Sequence, residues 1–170
     1  MLDISGEEIQ NITNGIKNID DAKKLVDETL SLKKAHRVSR ILEVILGGGL
    51  SLKASDVHIE PEESAVRLRY RLDGVLVNIT EIDLETYKLL LSRIKLISGL
   101  KINLKNTAQD GRFSIKINKG DVEIRTSMLP DAYGESIVMR ILNPDTISLS
   151  MENLGIEKKQ IMQLVKLYKQ

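Results

Sequence analysis

The sequence predicts an α+β fold: a mixed or antiparallel sheet carrying a packed helix, preceded by a helical N-terminal segment. Apolar residues recur at helical spacing as far as Leu46, and from Lys53 the period shortens from 3.6 to 2. Turn signals then divide the chain into short alternating runs. One amphipathic stretch, Leu84 to Ile97, is long enough to be a helix lying on the sheet those runs form.

Taken in order, Ser5-Gly6-Glu7-Glu8 is a capping-box pattern opening a short helix through Ile9, Ile12 and Ile16, with Asn14-Gly15 as its interruption. Ile19-Asp20-Asp21 starts a second, with Ala22, Leu25, Val26, Thr29 and Leu30 on one face. A third runs from His36 to Leu46 through Val38, Ile41, Leu42 and Ile45, and Gly47-Gly48-Gly49 reads as its stop. His36 reads as a surface residue of that helix. The first thirty or so residues are only weakly apolar, and a mobile arm is expected there. Beyond Lys53, Val57 and Ile59 face inward while Asp56, His58 and Glu60 share the other side. Pro61 to Ser64 turns the chain into a return strand with Val66, Leu68, Tyr70 and Leu72 on one face and Arg67, Arg69 and Arg71 on the other. Asp73-Gly74 makes a tight turn before a short strand, Val75 to Ile79. Asp83 caps the long helix, whose Leu84, Tyr87, Leu90, Leu91, Ile94 and Ile97 line one face, and Gly99 ends it. Gln109 to Arg112 reads as a turn, followed by a strand through Phe113, Ile115 and Ile117 and a second turn at Asn118-Lys119-Gly120. A hairpin and a last amphipathic helix, through Ile161, Leu164, Val165 and Tyr168, complete the chain after a turn around Leu154-Gly155-Ile156. The expected division is a helical segment over 1–50, the sheet domain over 51–147, and a linker with its helix over 148–170.

A chain of 170 residues that is 42% hydrophobic can bury one good core, here with a helical appendage. Its 25 basic and 24 acidic residues nearly cancel, so any basic site has to be local. That balance, with one Phe, four Tyr and no Trp, argues against a nucleic-acid platform. No cysteine is present, which removes disulfides, thiolate chemistry and zinc–thiolate clusters. No apolar run approaches the roughly 20 residues of a spanning helix, and the N-terminus lacks a signal-peptide pattern, so a cytoplasmic location is the default expectation.

Two features carry chemistry. In the hairpin Gly120 to Leu142, a six-residue turn segment containing Pro130, Asp131 and Gly134 separates two strands that each hold one arginine. Val122, Ile124, Thr126 and Met128 fall on one face, opposite Glu123, Arg125, Ser127 and Leu129. The second strand is apolar on both faces apart from Arg140, so it reads as central. A hairpin symmetric about its turn sets Arg125 opposite Arg140, a costly pairing of like charges unless an anion intervenes. That anion is either a carboxylate such as Glu123 or Glu135, or an external phosphate gripped by the planar guanidinium groups. The second feature is the pair of rows Asp56, His58, Glu60 and Arg67, Arg69, Arg71. They read as a cross-strand charge lattice, as a metal site that the arginines would oppose, or as arginines turned toward a phosphate or a partner surface.

Taken together, ASDVHIEP, RYRLDGVL, SRIKLISGL, QDGRFSI, DVEIRTSMLPDAYGESIVMRIL and MENLGI, in this order and at these spacings, resemble the second N-terminal domain of the secretion ATPases. Those are the hexameric motors of type IV pilus assembly and type II secretion, and the resemblance spans roughly residues 50 to 157. It implies a PAS-like domain standing ahead of a RecA-like motor domain in one polypeptide. It also implies that two arginines, by motif Arg125 and Arg140, reach the phosphates of ATP bound with magnesium on the motor domain and couple ATP binding to domain rotation. On that reading the pair is expected to be left unneutralised by its own domain. The implied partners are the motor domain, neighbouring hexamer subunits and inner-membrane platform proteins, and the implied place is the cytoplasmic side of the inner membrane. Arg67, Arg69 and Arg71 are candidates for an interface.

The departures qualify the activity. No G-x-x-x-x-G-K-[ST] pattern occurs, because Gly47 to Gly49 are not followed by Lys-Ser or Lys-Thr. No catalytic residue and no metal ligand are therefore expected in this chain, which is expected not to hydrolyse ATP although its parent polypeptide is expected to. The chain looks cut just ahead of the motor domain. The alternative to the motor reading is a stand-alone PAS-like module for a small anion or signal molecule. A nucleic-acid module built on Arg67, Arg69 and Arg71 is a weaker third.

Overall fold

Each alternating run presents an apolar face that water disfavours, and in the computed structural model, which describes residues 4–117, 120–143 and 156–168, six such runs pair into one sheet. They are β1 (Asp56–Pro61), β2 (Val66–Leu72), β3 (Val75–Ile82), β4 (Gln109–Ile117), β5 (Gly120–Asp131) and β6 (Gly134–Leu142). The order is β3-β2-β1-β6-β5-β4 and every pairing is antiparallel. The expected α+β class holds. Register aligns Val57, Ile59, Leu68, Tyr70, Ile124, Met128, Ile137 and Met139 on one buried face.

Helices cover that face: α1 (Gly6–Gly15), α2 (Ile19–Leu30), α3 (Lys34–Ser51) and α4 (Leu84–Ile97); α5 (Lys158–Tyr168) closes the described chain. Asp83 caps α4 by accepting from the Thr86 amide, and Gly99, at φ +71°, ends it as expected. Below α4 lies an ion pair that no local sequence pattern announces. Lys95 Nζ, 1% exposed, donates to Glu135 Oε1 at 2.6 Å and to the Leu104 carbonyl at 2.7 Å, while Tyr87 Oη donates to the Glu135 carbonyl. Buried charges need this degree of satisfaction. No described helix is long and apolar enough to cross a membrane.

The structure corrects five expectations. Residues 4–30 are not an arm, because Ile9, Ile12, Ile16, Ala22 and Val26 are buried in the same core as the sheet. Each helix needs only one apolar stripe to pack, so a low mean hydropathy did not imply detachment. The three glycines do not stop α3, which continues to Ser51. They sit where neighbours close in: a Cβ on Gly47, Gly48 or Gly49 would lie 2.6 Å from Ile12 Cγ2, 2.8 Å from Tyr70 Oη or 2.9 Å from Ile141 Cδ1. Gln109 to Arg112 is not a turn but the start of β4, with Gly111 in the strand because a Cβ there would stand 2.3 Å from the Ser98 carbonyl oxygen. The hairpin connection is shorter than expected, only Ala132 and Tyr133 between β5 and β6, and β3 runs on to Ile82. The turns at Asn118-Lys119 and Leu154-Gly155, the boundary at 147/148, and the side chains of His36, Val38, Leu164 and Val165 lie outside what is described.

Candidate functional site

The second sheet face is where the charges stand. Antiparallel register fixes which side chains are neighbours across strands, and here it builds one row: Arg112 of β4 opposite Arg125 of β5, Arg125 opposite Arg140 of β6, Arg140 opposite Asp56 of β1, and Asp56 opposite Arg71 of β2. The predicted juxtaposition of Arg125 and Arg140 is observed. It extends by one arginine more than expected, because residues 109–112 form strand rather than a turn.

Both predicted arginines have a carboxylate partner, so they are not left unneutralised. Arg125 Nε donates to Glu123 Oε1 at 2.8 Å, and Arg140 Nε donates to Asp56 Oδ1 at 3.0 Å. Glu135, the other expected partner, is spent on Lys95. The bonds are nevertheless one-sided. Each uses the Nε edge of a guanidinium that has five N–H donors, and among the described residues the Nη groups of Arg125 and Arg140 have no protein acceptor. Their side chains are 65% and 64% exposed. The Arg125–Glu123 pair is open at both ends, weak and screened by salt, whereas Arg140 is held by a buried Asp56, so a phosphate would add at the outer Nη edges rather than displace Asp56.

Asp56 anchors the arrangement. It accepts from Arg140 and from Ser55 Oγ at 2.9 Å, and forms an ion pair with Arg71, whose Nε lies 3.2 Å away. Burial alone would raise its pKa, but the hydrogen bonds from Arg140 and Ser55 and the charges of Arg140 and Arg71 outweigh that and hold it below the ordinary aspartate value. The hydrogen bond from Arg125 holds Glu123 low in the same way. Arg112, Arg125 and Arg140 share with Asp56, Asp110 and Ser127 an open cleft of about 620 Å³. Asp110 is engaged by Ser127 Oγ at 2.6 Å.

The other arginine row is different. Arg69 pairs with Glu60, Arg67 Nη2 lies 2.6 Å from Glu62 Oε1, and Arg71 is held by Asp56 and by the Gly74 carbonyl. This is the cross-strand lattice among the three alternatives. The carboxylates of β1 are taken up by arginine, and His58 Nδ1 stands 3.2 Å from Glu60 Oε1. Sequence reasoning missed Arg112 and the anchoring role of Asp56. The signal for Arg112 was alternation: carried back from Phe113, period two places Arg112 and Asp110 on the face of Arg125.

The fold and the row together define a class: a two-layer α+β domain presenting aligned, outward-facing arginines suited to gripping an anion. The sequence model described as "Type II/IV secretion system protein" matches residues 31–170, and the chain belongs to that family. It is 32% identical over 165 residues to type II secretion system protein E of Xanthomonas campestris, covering 97% of this chain and 28% of that protein. It is 31% identical over 157 residues to the type IV pilus assembly ATPase PilB of Myxococcus xanthus, covering 92% and 26%. It is 38% identical over 122 residues to type II secretion system protein E of Pseudomonas aeruginosa, covering 72% and 24%. The chain thus spans roughly a quarter of these relatives' length.

Proposed function

We propose that this chain is an N-terminal regulatory domain of an ATPase that drives type II secretion or type IV pilus assembly, and that Arg125 and Arg140 contact the phosphates of ATP held by a RecA-like motor domain. The observation that carries the reading is their pairing across β5 and β6 with the Nη edges free at an open cleft. Family membership supplies the anion. Two guanidinium groups aimed at a transferring γ-phosphoryl stabilise charge that grows in the transition state, without chemistry of their own. Nucleotide then favours the closed arrangement of the two domains because only that arrangement brings the arginines to it, which couples ATP binding to domain rotation. The partners are the motor domain, the neighbouring subunits of a hexamer and inner-membrane platform proteins, on the cytoplasmic side of the membrane. ATP with its magnesium belongs to the motor domain, and Arg67, Arg69 and Arg71 are assigned to holding β1 to β2.

The test uses the polypeptide that carries this chain ahead of its motor domain. Arg125→Ala and Arg140→Ala are each expected to lower kcat for ATP hydrolysis by about 10²-fold or more. Hydrolysis at the parent rate by either variant would overturn the assignment. The stand-alone module makes the opposite prediction: tight anion binding by the isolated chain, where the motor reading expects weak binding.

A further inference from the structure

Arg112 is the one member of the row that the proposed pair does not use. It is exposed, stands directly opposite Arg125, and among the described residues has neither a hydrogen bond nor an ion pair. Among its neighbours, Glu123 accepts from Arg125 and feels the Arg112 charge only at longer range, Asp110 accepts from the neutral Ser127 hydroxyl, and Asp56 accepts from Arg140 and Ser55 and is ion-paired to Arg71. A cation set against another cation, with carboxylates nearby but none in direct contact, has its donors open to an anion in the cleft.

Its position is also fixed. Gly111 brings β4 so close to the end of α4 that a Cβ would meet the Ser98 carbonyl at 2.3 Å and Leu100 Cδ2 at 2.8 Å. On the buried side Ser98 Oγ donates to Thr126 Oγ1 at 3.1 Å, joining that helix end to β5. The backbone carrying Arg112 is therefore clamped rather than free to carry the charge away from Arg125.

We infer that Arg112 is a third phosphate contact, so that the row Arg112, Arg125, Arg140 grips a di- or triphosphate chain rather than a single phosphate. This rests on the function proposed above for Arg125 and Arg140. Adjacent strands stand about 4.8 Å apart, so the outer two backbones of the row are about 10 Å apart. Orthophosphate reaches two neighbouring guanidinium groups across such a row, whereas a linear polyphosphate can touch all three. The division of labour follows: Arg125 and Arg140, steadied through Nε, hold one end of the chain, and Arg112, unattached, closes on the other.

The test is an amide NMR titration of this chain with sodium tripolyphosphate, with orthophosphate in parallel. Shifts are expected at residues 110–113, 124–127 and 138–141. Arg112→Gln is expected to weaken tripolyphosphate about tenfold, with a smaller effect on orthophosphate, and Arg112→Lys to recover part of the loss. If Arg112→Gln binds tripolyphosphate like the parent while Arg125→Gln and Arg140→Gln bind it more weakly, the inference falls and the proposed function stands. If Arg112→Gln alone weakens binding, the shared row is wrong and the pair loses its support as well. No shift at the row in the parent chain overturns the inference outright, leaving the pair to the ATPase assay.

Discussion

Two sets of three arginines lie on the same face of one sheet, and they differ in direction. Arg67, Arg69 and Arg71 alternate along a single strand, so each meets a different residue of β1 or its turn and finds a carboxylate there. Arg112, Arg125 and Arg140 run across three strands, so each meets another arginine. Side-chain exposure follows: 39%, 24% and 33% along the strand, against 65% and 64% for Arg125 and Arg140. The lesson is that identical side chains on one surface are tied down or left open according to what register puts beside them.

The comparison can be broken hardest where charge is most deeply buried. Lys95→Met leaves Glu135 without its counter-ion under α4, and urea unfolding should show a loss of about 3–5 kcal/mol. A variant as stable as the parent would mean that burial does not govern these pairs. Asp56→Ala comes next, since it frees two arginines and a serine; a loss of about 1.5–3 kcal/mol is expected. Its pH dependence sharpens the point. Asp56 is a stronger acid in the folded chain than in the unfolded one, so its contribution is complete above the ordinary aspartate pKa of 3.8 and disappears as pH falls through the lower folded value. Urea midpoints measured from pH 6 down to pH 3 should therefore fall less steeply in Asp56→Asn than in the parent. Arg69→Ala, at a partly buried pair with Glu60, should cost about 1 kcal/mol, the least of the three substitutions.

How much of this was legible follows from what is local. Arg125 opposite Arg140 could be read from alternation and a symmetric hairpin, and the lattice of β1 and β2 from two period-two runs joined by a turn. Asp110-Gly111-Arg112 misled because glycine after aspartate signals a turn, whereas here Gly111 answers to Ser98, a residue distant in sequence. Gly47 to Gly49 misled for the same reason, their contacts being Ile12, Tyr70 and Ile141. Lys95 and Glu135 lie forty positions apart, and no local pattern announces that a lysine on an amphipathic helix will turn inward to meet a strand.

The most direct measurement crosses the two arginine sets in the motor-bearing polypeptide, reading ATPase rate and unfolding midpoint for Arg125→Ala and Arg69→Ala side by side. The account predicts that Arg125→Ala loses hydrolysis with its urea midpoint unchanged, and that Arg69→Ala loses stability while hydrolysing ATP at the parent rate. Parent-level hydrolysis by Arg125→Ala, or a collapse of hydrolysis in folded Arg69→Ala, would contradict it.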